Sequence, residues 1–187
     1  MQEITKYKIS IIISGGQTGA DRGGLDFAID NKIRHGGWCP LGRRAEDYKI
    51  PFRYHLKETS TPIYPVRTRY NIKDSDATLI FSANLYSKGT QLTLKLCNEL
   101  HKPYLCILVK PEIINIQNTK QEKAICYKII KWINFTKPEI LNIAGSRESH
   151  CPGLSNYVKH ILSLILEKKD SDCKWPPQPP RTLPLFF

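Results

Sequence analysis

The sequence has no apolar run that approaches the roughly 18–20 residues of a membrane-spanning helix. Its polar, lysine-bearing start at residues 1–10 is not followed by a cleavage pattern, so a secretory signal is lacking. The six cysteines form no C-x-x-C pair, and only Cys151 is directly next to a histidine, His150. We therefore expect a cytoplasmic protein with reduced cysteines, no metal site and no membrane partner.

Basic residues are abundant but are not concentrated in one place. The 187 residues include 28 Lys+Arg and 17 Asp+Glu, which gives a net charge of +11. A nucleic-acid-binding protein usually gathers its basic residues in one stripe or tail, whereas this excess is spread along the chain. The charge therefore argues against a nucleic-acid partner and favours a small anionic ligand.

Short apolar runs alternate with amphipathic segments along the chain. The predicted strands are 7–14, 77–82, 104–109 and 140–144. The predicted helices are 20–32, 64–74, 89–101, 121–134 and 154–168, and residues 34–62 are rich in loops. Continuously apolar strands that alternate with helices are typical of a parallel sheet covered on both faces. The sequence thus predicts an α/β fold, a Rossmann-like three-layer sandwich with a mostly parallel sheet.

Three loops that follow predicted strands are suited to binding an anion. The first, residues 14–22, is glycine-rich and opens a helix, although it is neither G-x-G-x-x-G nor a Walker A loop. The second, residues 84–90, opens another helix at Gly89-Thr90, and the third, residues 145–149, carries Arg147. Each loop could instead be only a tight turn. Because the carboxyl ends of parallel strands meet at one edge, we expect the three loops to form one binding site.

The chain contains the stretches IISGGQTGADRGGLDFAI, GGWCPLGRRAED, RTRYNIKDSDATLIF and KGTQLTL. From about residue 11 to 166, the sequence resembles the molybdenum carrier protein family, the YpsA-related branch of the SLOG superfamily of Rossmann-like nucleotide-binding proteins. The resemblance implies a Rossmann-like fold and a phosphate or nucleotide pocket built from the Gly-Gly-x-Thr-Gly and Gly-Thr loops.

The stretch 36–47 is the most unusual of these. It offers the indole of Trp38 and two adjacent arginines, Arg43 and Arg44, which either bind the ligand or pair with Glu46 and Asp47 to fold the loop. On the helix predicted at 64–74, Arg67 and Asn71 share a face, whereas Arg69 points away. The residues predicted to bind the ligand or cofactor are Gly15, Gly16, Gln17, Thr18, Gly19, Arg22, Arg43, Arg44, Lys88, Gly89, Thr90 and Arg147.

The function we favour is a ligand-binding protein, a homo-oligomeric carrier or sensor for the molybdenum cofactor, a nucleotide or another phosphate-bearing ligand. One alternative is an enzyme that hydrolyses nucleoside monophosphates with Asp21, Glu46 or Asp47 as the acid. The related hydrolases carry a glutamate directly after Gly-Gly-x-Gly-Thr, and Gln91, which stands there, cannot transfer protons. No catalytic residue is therefore assigned. A second alternative is a simple binder of molybdate or phosphate.

The end of the chain differs in composition from the rest. Residues 171–187 hold five prolines and finish with LPLFF, so we divide the chain into a domain at 1–168 and an extended proline-rich tail at 169–187. The tail contains P-x-x-P-x-R at Pro176, Pro179 and Arg181, which matches a ligand of SH3-type grooves. We expect it instead to lie across its own domain or a neighbouring subunit and to bury Trp175, Leu185 and Phe186.

Overall fold

The apolar runs of the sequence form a parallel sheet at the centre of the structure, a computed structural model that describes residues 9–114 and 120–166. The strands in these residues are β1 (Ile11–Ile13), β2 (Arg34–Gly36), β3 (Trp38–Cys39), β4 (Arg44–Ala45), β5 (Tyr48–Lys49), β6 (Lys57–Glu58), β7 (Ala77–Ser82), β8 (Tyr104–Leu108) and β9 (Ile140–Gly145). The helices are α1 (Ala20–Asp30), α2 (Tyr64–Lys73), α3 (Lys88–Glu99), α4 (Pro111–Ile114), α5 (Lys120–Thr136) and α6 (Leu154–Leu166).

The main sheet has five strands in the order β2-β1-β9-β7-β8, and every pair of neighbouring strands is parallel. The last strand in the chain, β9, lies in the middle, with Ile12 beside Leu141 and Leu79 beside Ile143. Two small sheets stand apart from it: β3 pairs with β6, and β4 and β5 form an antiparallel hairpin. Consequently β1, β9 and β7 end side by side at the carboxyl edge of the sheet.

Helices cover both faces of the main sheet, as expected for strands that are apolar on both sides. On one face α1, α5 and α6 pack in a core that includes Phe27, Ile129 and Ile161, all fully buried or nearly so. On the other face α2 packs against α3 around Ile72 and Leu96. The α/β, Rossmann-like three-layer prediction is therefore confirmed.

Most element boundaries differ slightly from the prediction, and local backbone geometry explains some of the differences. Helix α1 ends at Asp30, because Lys32 adopts a left-handed conformation with φ 54°. Helix α3 ends at Glu99, before His101 with φ 49° and a proline at 103. The segment 34–62 is not only loop: β2 lies there and forms an edge of the main sheet.

Two predictions concern parts of the chain outside the described residues. These are the proline-rich tail at 169–187 and the start of the strand predicted at 7–14. Within the described residues, no helix combines the length and the apolar character needed to cross a membrane.

Candidate functional site

The three predicted loops meet at the carboxyl edge of β1, β9 and β7. The loop after β9 contacts both of the others through Ser146. Its carbonyl oxygen accepts a hydrogen bond from the backbone N–H of Ala20 (3.1 Å), and its Oγ accepts one from the N–H of Ala83 (3.0 Å). The loop after β9 thus fixes the position of the glycine loop after β1 relative to the loop after β7.

The glycine loop is packed against protein atoms. Gly16 and Gly19 have positive φ values of 74° and 77°, which favour glycine. A Cβ at Gly19 would lie 2.4 Å from the carbonyl oxygen of Ser146, and one at Gly16 would lie 2.5 Å from Leu56 Cδ1. These glycines are required by the loop itself, whether or not a ligand binds.

Asp21 is a buried carboxyl group under this loop. Its Oδ2 accepts hydrogen bonds from the backbone N–H of Gln17 (3.2 Å) and from Nη1 of Arg67 (3.1 Å). The guanidinium of Arg67 lies so close to Gly15 that a Cβ there would be 1.7 Å from Nη1. Burial raises the pKa of Asp21, although Arg67, Gln17 and Ser14 act in the opposite direction.

Gln17 links the glycine loop to the β4–β5 hairpin. Its Oε1 accepts hydrogen bonds from the backbone N–H groups of Thr18 (3.0 Å) and Glu46 (2.9 Å). Its Nε2 is buried and has no hydrogen-bond acceptor in the structure, and the same is true of Nε of Arg67. Buried polar groups normally have hydrogen-bond partners, so these two donors near the glycine loop are unsatisfied.

A carboxylate of the protein is bound at this edge. Glu46, in the hairpin, accepts hydrogen bonds from Oγ1 of Thr18, from Oγ of Ser149 (2.6 Å) and from the backbone N–H of Ser149 (3.2 Å). Burial raises the pKa of Glu46, but these hydrogen bonds and the charge of Arg147 outweigh burial and lower it overall. Donors from the ends of β1 and β9 therefore stabilise a negative charge here.

The neighbouring carboxylate, Asp47, binds Arg22. Two guanidinium nitrogens of Arg22 donate to its two oxygens, at 2.5 and 2.7 Å, while Nε of Arg22 donates to the carbonyl of Gly16 (3.2 Å). The hydrogen bonds from Arg22 lower the pKa of Asp47. Because Glu46 and Asp47 have these partners, the hypothesis that they pair with Arg43 and Arg44 is wrong.

Arg43 and Arg44 are adjacent but lie in opposite environments. Arg43 is 4% exposed, and its guanidinium donates to four backbone carbonyls. These belong to Ile50 (3.0 Å), Pro51 (2.9 Å), Tyr54 (2.9 Å) and Leu56 (3.2 Å). Arg44 is exposed on β4. Arg43 is thus a residue that holds its own loop together, and we do not include it in the site proposed below.

The loop after β7 leaves the start of α3 open. Ser87 caps the helix by accepting from the N–H of Thr90 (3.3 Å), and Oγ1 of Thr90 lies 2.7 Å from Oγ of Ser82. Lys88 is exposed, and apart from the neighbouring residues and the backbone of the same helix, no atom lies within 4 Å of the position that a Cβ on Gly89 would take. This helix start has free space for a ligand, unlike the start of α1.

Arg147, in the loop after β9, lies near Tyr64 and Glu46. Its guanidinium carbon is 5.3 Å from the ring centroid of Tyr64, and its charge lowers the pKa of Glu46. The sequence identified Arg147 but not Ser149 as a donor. It placed Arg67 and Asn71 on one helix face: Arg67 contacts Asp21, and Asn71 contacts the backbone of Trp38.

A cleft of about 270 Å³ opens elsewhere, beside β1 and β2, and none of the predicted site residues line it. The stacked rings of His35 and His55, with centroids 4.9 Å apart, form part of its wall. Trp38 forms another part, with its indole nitrogen donating to Asp74 (2.7 Å). Within residues 9–114 and 120–166, no group of three or more His, Cys, Asp or Glu residues is arranged to hold a metal ion.

Comparison with known proteins agrees with this architecture. The family model described as "Circularly permutated YpsA SLOG family" matches residues 12–166. The chain belongs to this family. It is also similar to a crystal structure described as "Putative molybdenum carrier protein" from Syntrophus aciditrophicus SB, with 38% identity and a TM-score of 0.76. The match covers 85% of this chain and 96% of the other. None of the curated proteins compared with the chain matches it.

The glycine loop, the β4–β5 hairpin, and the loops after β7 and β9 all fall inside the matched region. The predicted resemblance to the molybdenum carrier proteins and the YpsA-related SLOG branch is therefore confirmed.

Proposed function

We propose that the chain binds a small oxoanion, or the phosphate group of a larger ligand, at the carboxyl edge of β1 and β9. One observation carries this proposal: donors from two loops already converge on a carboxylate, that of Glu46. Hydrogen bonds to an ionised acceptor are about twice as strong as neutral ones, so a site that holds a carboxylate suits other oxoanions.

The surrounding charge supports the same ligand class. Arg147 and Arg22 lie at this edge, and the start of α1 directs the positive end of the helix dipole towards it. The open start of α3, with Lys88 and Gly89, offers a second set of donors to the same ligand. We propose that these groups bind one ligand together.

The similar crystal structure is described as a molybdenum carrier protein. Molybdate is a tetrahedral oxoanion, and the donors at this edge fit it as cargo, as they fit a phosphate group. The residues identified here bind oxygen atoms, so we propose molybdate, or the phosphate of the molybdenum cofactor or of a nucleotide, as the bound group. We propose further that the protein is a carrier or sensor in the cytoplasm and that it forms a homo-oligomer, which native mass spectrometry tests.

The binding site is tested by calorimetric titration with molybdate, inorganic phosphate and adenosine monophosphate. Replacing Arg147 with alanine removes a charged donor, so we expect the affinity to fall about tenfold to a hundredfold. Arg69→Ala is the matched control, because Arg69 is an exposed arginine that pairs with Glu99 on the surface (3.1 Å). Equal affinities for Arg147→Ala and Arg69→Ala, or no binding of any probe by the unmodified protein, would contradict the proposal.

A further inference from the structure

Glu46 occupies donors that the proposed ligand needs. Its two carboxylate oxygens take the hydroxyl of Thr18 and both the hydroxyl and the N–H of Ser149. Thr18 is about nine-tenths buried and belongs to the folded framework, whereas Ser149 and Glu46 are both exposed. The carboxylate therefore joins one buried donor to two donors of an exposed residue. A carboxylate and a tetrahedral oxoanion present similar pairs of oxygen atoms, and both cannot use these donors at once.

The segment that carries Glu46 is attached mainly through polar contacts. The β4–β5 hairpin pairs only Arg44 with Lys49 and Ala45 with Tyr48, and Tyr48 at its turn is 92% exposed. Tyr48 also adopts φ 79°, a left-handed conformation that costs a non-glycine residue free energy and often occurs in segments that change conformation.

The hairpin is joined to the rest of the protein through the carboxylates of Glu46 and Asp47 and the bond from the Glu46 N–H to Gln17. Only Ala45 of the hairpin packs, partly buried, against a small apolar cluster. Arg43 and Ile50, which flank the hairpin, are buried and bonded to each other, so they hold its base in place. Little apolar surface would be exposed if the tip at residues 45–48 moved away, so the position of the tip depends on the bonds of Glu46 and Asp47.

We propose that Glu46 is an internal ligand of the anion site and that an external oxoanion binds by displacing it. This inference rests on the proposed function and adds how the site selects its ligand. A dianion such as molybdate or hydrogen phosphate attracts Arg147 and the helix dipole more strongly than a carboxylate does, so it competes successfully. A weakly bound monoanion does not, so Glu46 restricts the site to multiply charged oxoanions.

The competition has a measurable consequence. When the binding-competent state is only partly populated, the apparent affinity falls by that fraction, and removal of the competitor restores it. Glu46→Ala should therefore bind molybdate and phosphate at least tenfold more tightly than the unmodified protein. Glu46→Gln keeps an oxygen that accepts hydrogen bonds but loses the charge. Its affinity for molybdate and phosphate should therefore lie between that of the unmodified protein and that of Glu46→Ala.

The control variant is Glu58→Gln, which removes one negative charge from the same region. Glu58 accepts a hydrogen bond from the N–H of Gly42 (2.5 Å) and does not take part in the donor set of Thr18 and Ser149. Its affinity for molybdate should equal that of the unmodified protein. A similar gain in Glu58→Gln and Glu46→Ala would show that net charge alone is responsible, and it would overturn the inference.

The experiment combines calorimetry on the four proteins with hydrogen exchange on the unmodified one. On addition of molybdate, amide exchange should become faster in residues 44–49 and slower in residues 145–150. This second measurement does not depend on any variant, so it holds even if Glu46→Ala fails to fold.

The outcomes separate the inference from the proposed function. If molybdate binds and Arg147→Ala weakens it, but Glu46→Ala binds equally or more weakly, the site exists and the displacement of Glu46 is wrong. If exchange in residues 44–49 slows on binding, the hairpin closes over the ligand and the inference is also wrong. If neither the unmodified protein nor Glu46→Ala binds molybdate or phosphate, both proposals fail.

Discussion

Replacement of Arg43 by alanine tests whether this arginine holds its loop or binds a ligand. Its guanidinium donates to four backbone carbonyls at 2.9–3.2 Å, and the residue is 4% exposed. Hydrogen bonds to a charged group contribute about 1.5–3 kcal/mol each, but such contributions are not additive, and single substitutions rarely cost more than about 4–5 kcal/mol. We therefore expect Arg43→Ala to lower the free energy of unfolding by about 3–5 kcal/mol.

The assay is urea unfolding followed by circular dichroism and tryptophan fluorescence. For a protein of this size, the expected loss corresponds to a fall in melting temperature of about 6–20 °C. Arg43→Lys should give an intermediate loss, because an ammonium has three donors and no planar fork to reach four carbonyls.

The adjacent Arg44 is the matched control. It is exposed, so Arg44→Ala should change the free energy of unfolding by no more than about 0.5 kcal/mol. If Arg43→Ala were as stable as Arg44→Ala and lost oxoanion affinity instead, the interpretation of Arg43 as a residue of the loop interior would be refuted.

Three further predictions follow from single contacts. Gly16→Ala should destabilise the protein by about 1–3 kcal/mol, because Gly16 has a positive φ and a Cβ there would contact Leu56. Gly89→Ala should stabilise it by about 0.5–1 kcal/mol, because Gly89 lies in open space on a helix. Urea unfolding measures both changes. The pKa of Glu46 lies below its ordinary value of 4.5, so its contribution to stability is present above pH 4.5 and is lost as the pH falls through the lowered pKa. The difference in urea midpoint between Glu46→Gln and the unmodified protein should therefore shrink from pH 7 to pH 3. Burial raises the pKa of Cys97 to about 11, so this thiol should resist alkylation at pH 7.5 until the protein unfolds, as peptide mass mapping will show.

Four of the five strands of the main sheet and the five longer helices were predictable from the sequence because each depends on local patterns, whereas the short strands β2 to β6 were not predicted. The run 77–82 has four apolar residues and no charged one, and the structure buries all six residues of that strand. The order of the strands was not predictable, since it depends on which apolar faces fit together across the chain. The position of β9 between β1 and β7 brings the loop at Ser146 against the glycine loop, and no local pattern reports that.

Adjacent residues in the unusual stretch 36–47 show where sequence reasoning about the site reached its limit. Arg43 and Arg44 are chemically identical in the sequence, but only the first lies among the carbonyls of 50–56. Glu46 and Asp47 were expected either to catalyse or to pair with these arginines, yet their partners are Thr18, Ser149 and Arg22. Partners 25 or more residues away in the chain are fixed by tertiary packing, which charge patterns do not encode.

The same contacts bear on the hydrolase alternative, which needs a proton donor. The pKa values of Glu46 and Asp47 are lowered, so both are ionised at neutral pH and act as acceptors. The pKa of Asp21 is raised overall by burial, but Asp21 is 4% exposed and its Oδ2 is hydrogen-bonded to Arg67 and Gln17 beneath the loop. Glu46 and Asp47 are therefore unsuited to protonate a leaving base, and Asp21 is enclosed by the protein.

The contact of Gln91 also argues against the hydrolase alternative. It stands where the related hydrolases carry their glutamate, and its Nε2 donates to the carbonyl of Leu85 (2.6 Å), which a carboxylate could not do. We expect incubation with nucleoside monophosphates to release no more free base than a sample without protein, measured by liquid chromatography. Gln91→Glu should remain inactive, because a protonated carboxyl group at this position would donate its hydrogen bond to the Leu85 carbonyl and not to a leaving base. A turnover near the ~10 per second typical of enzymes in the unmodified protein would mean that a proton donor exists at this edge and that the protein is not a carrier. The same turnover in Gln91→Glu alone would contradict only the expectation for that variant.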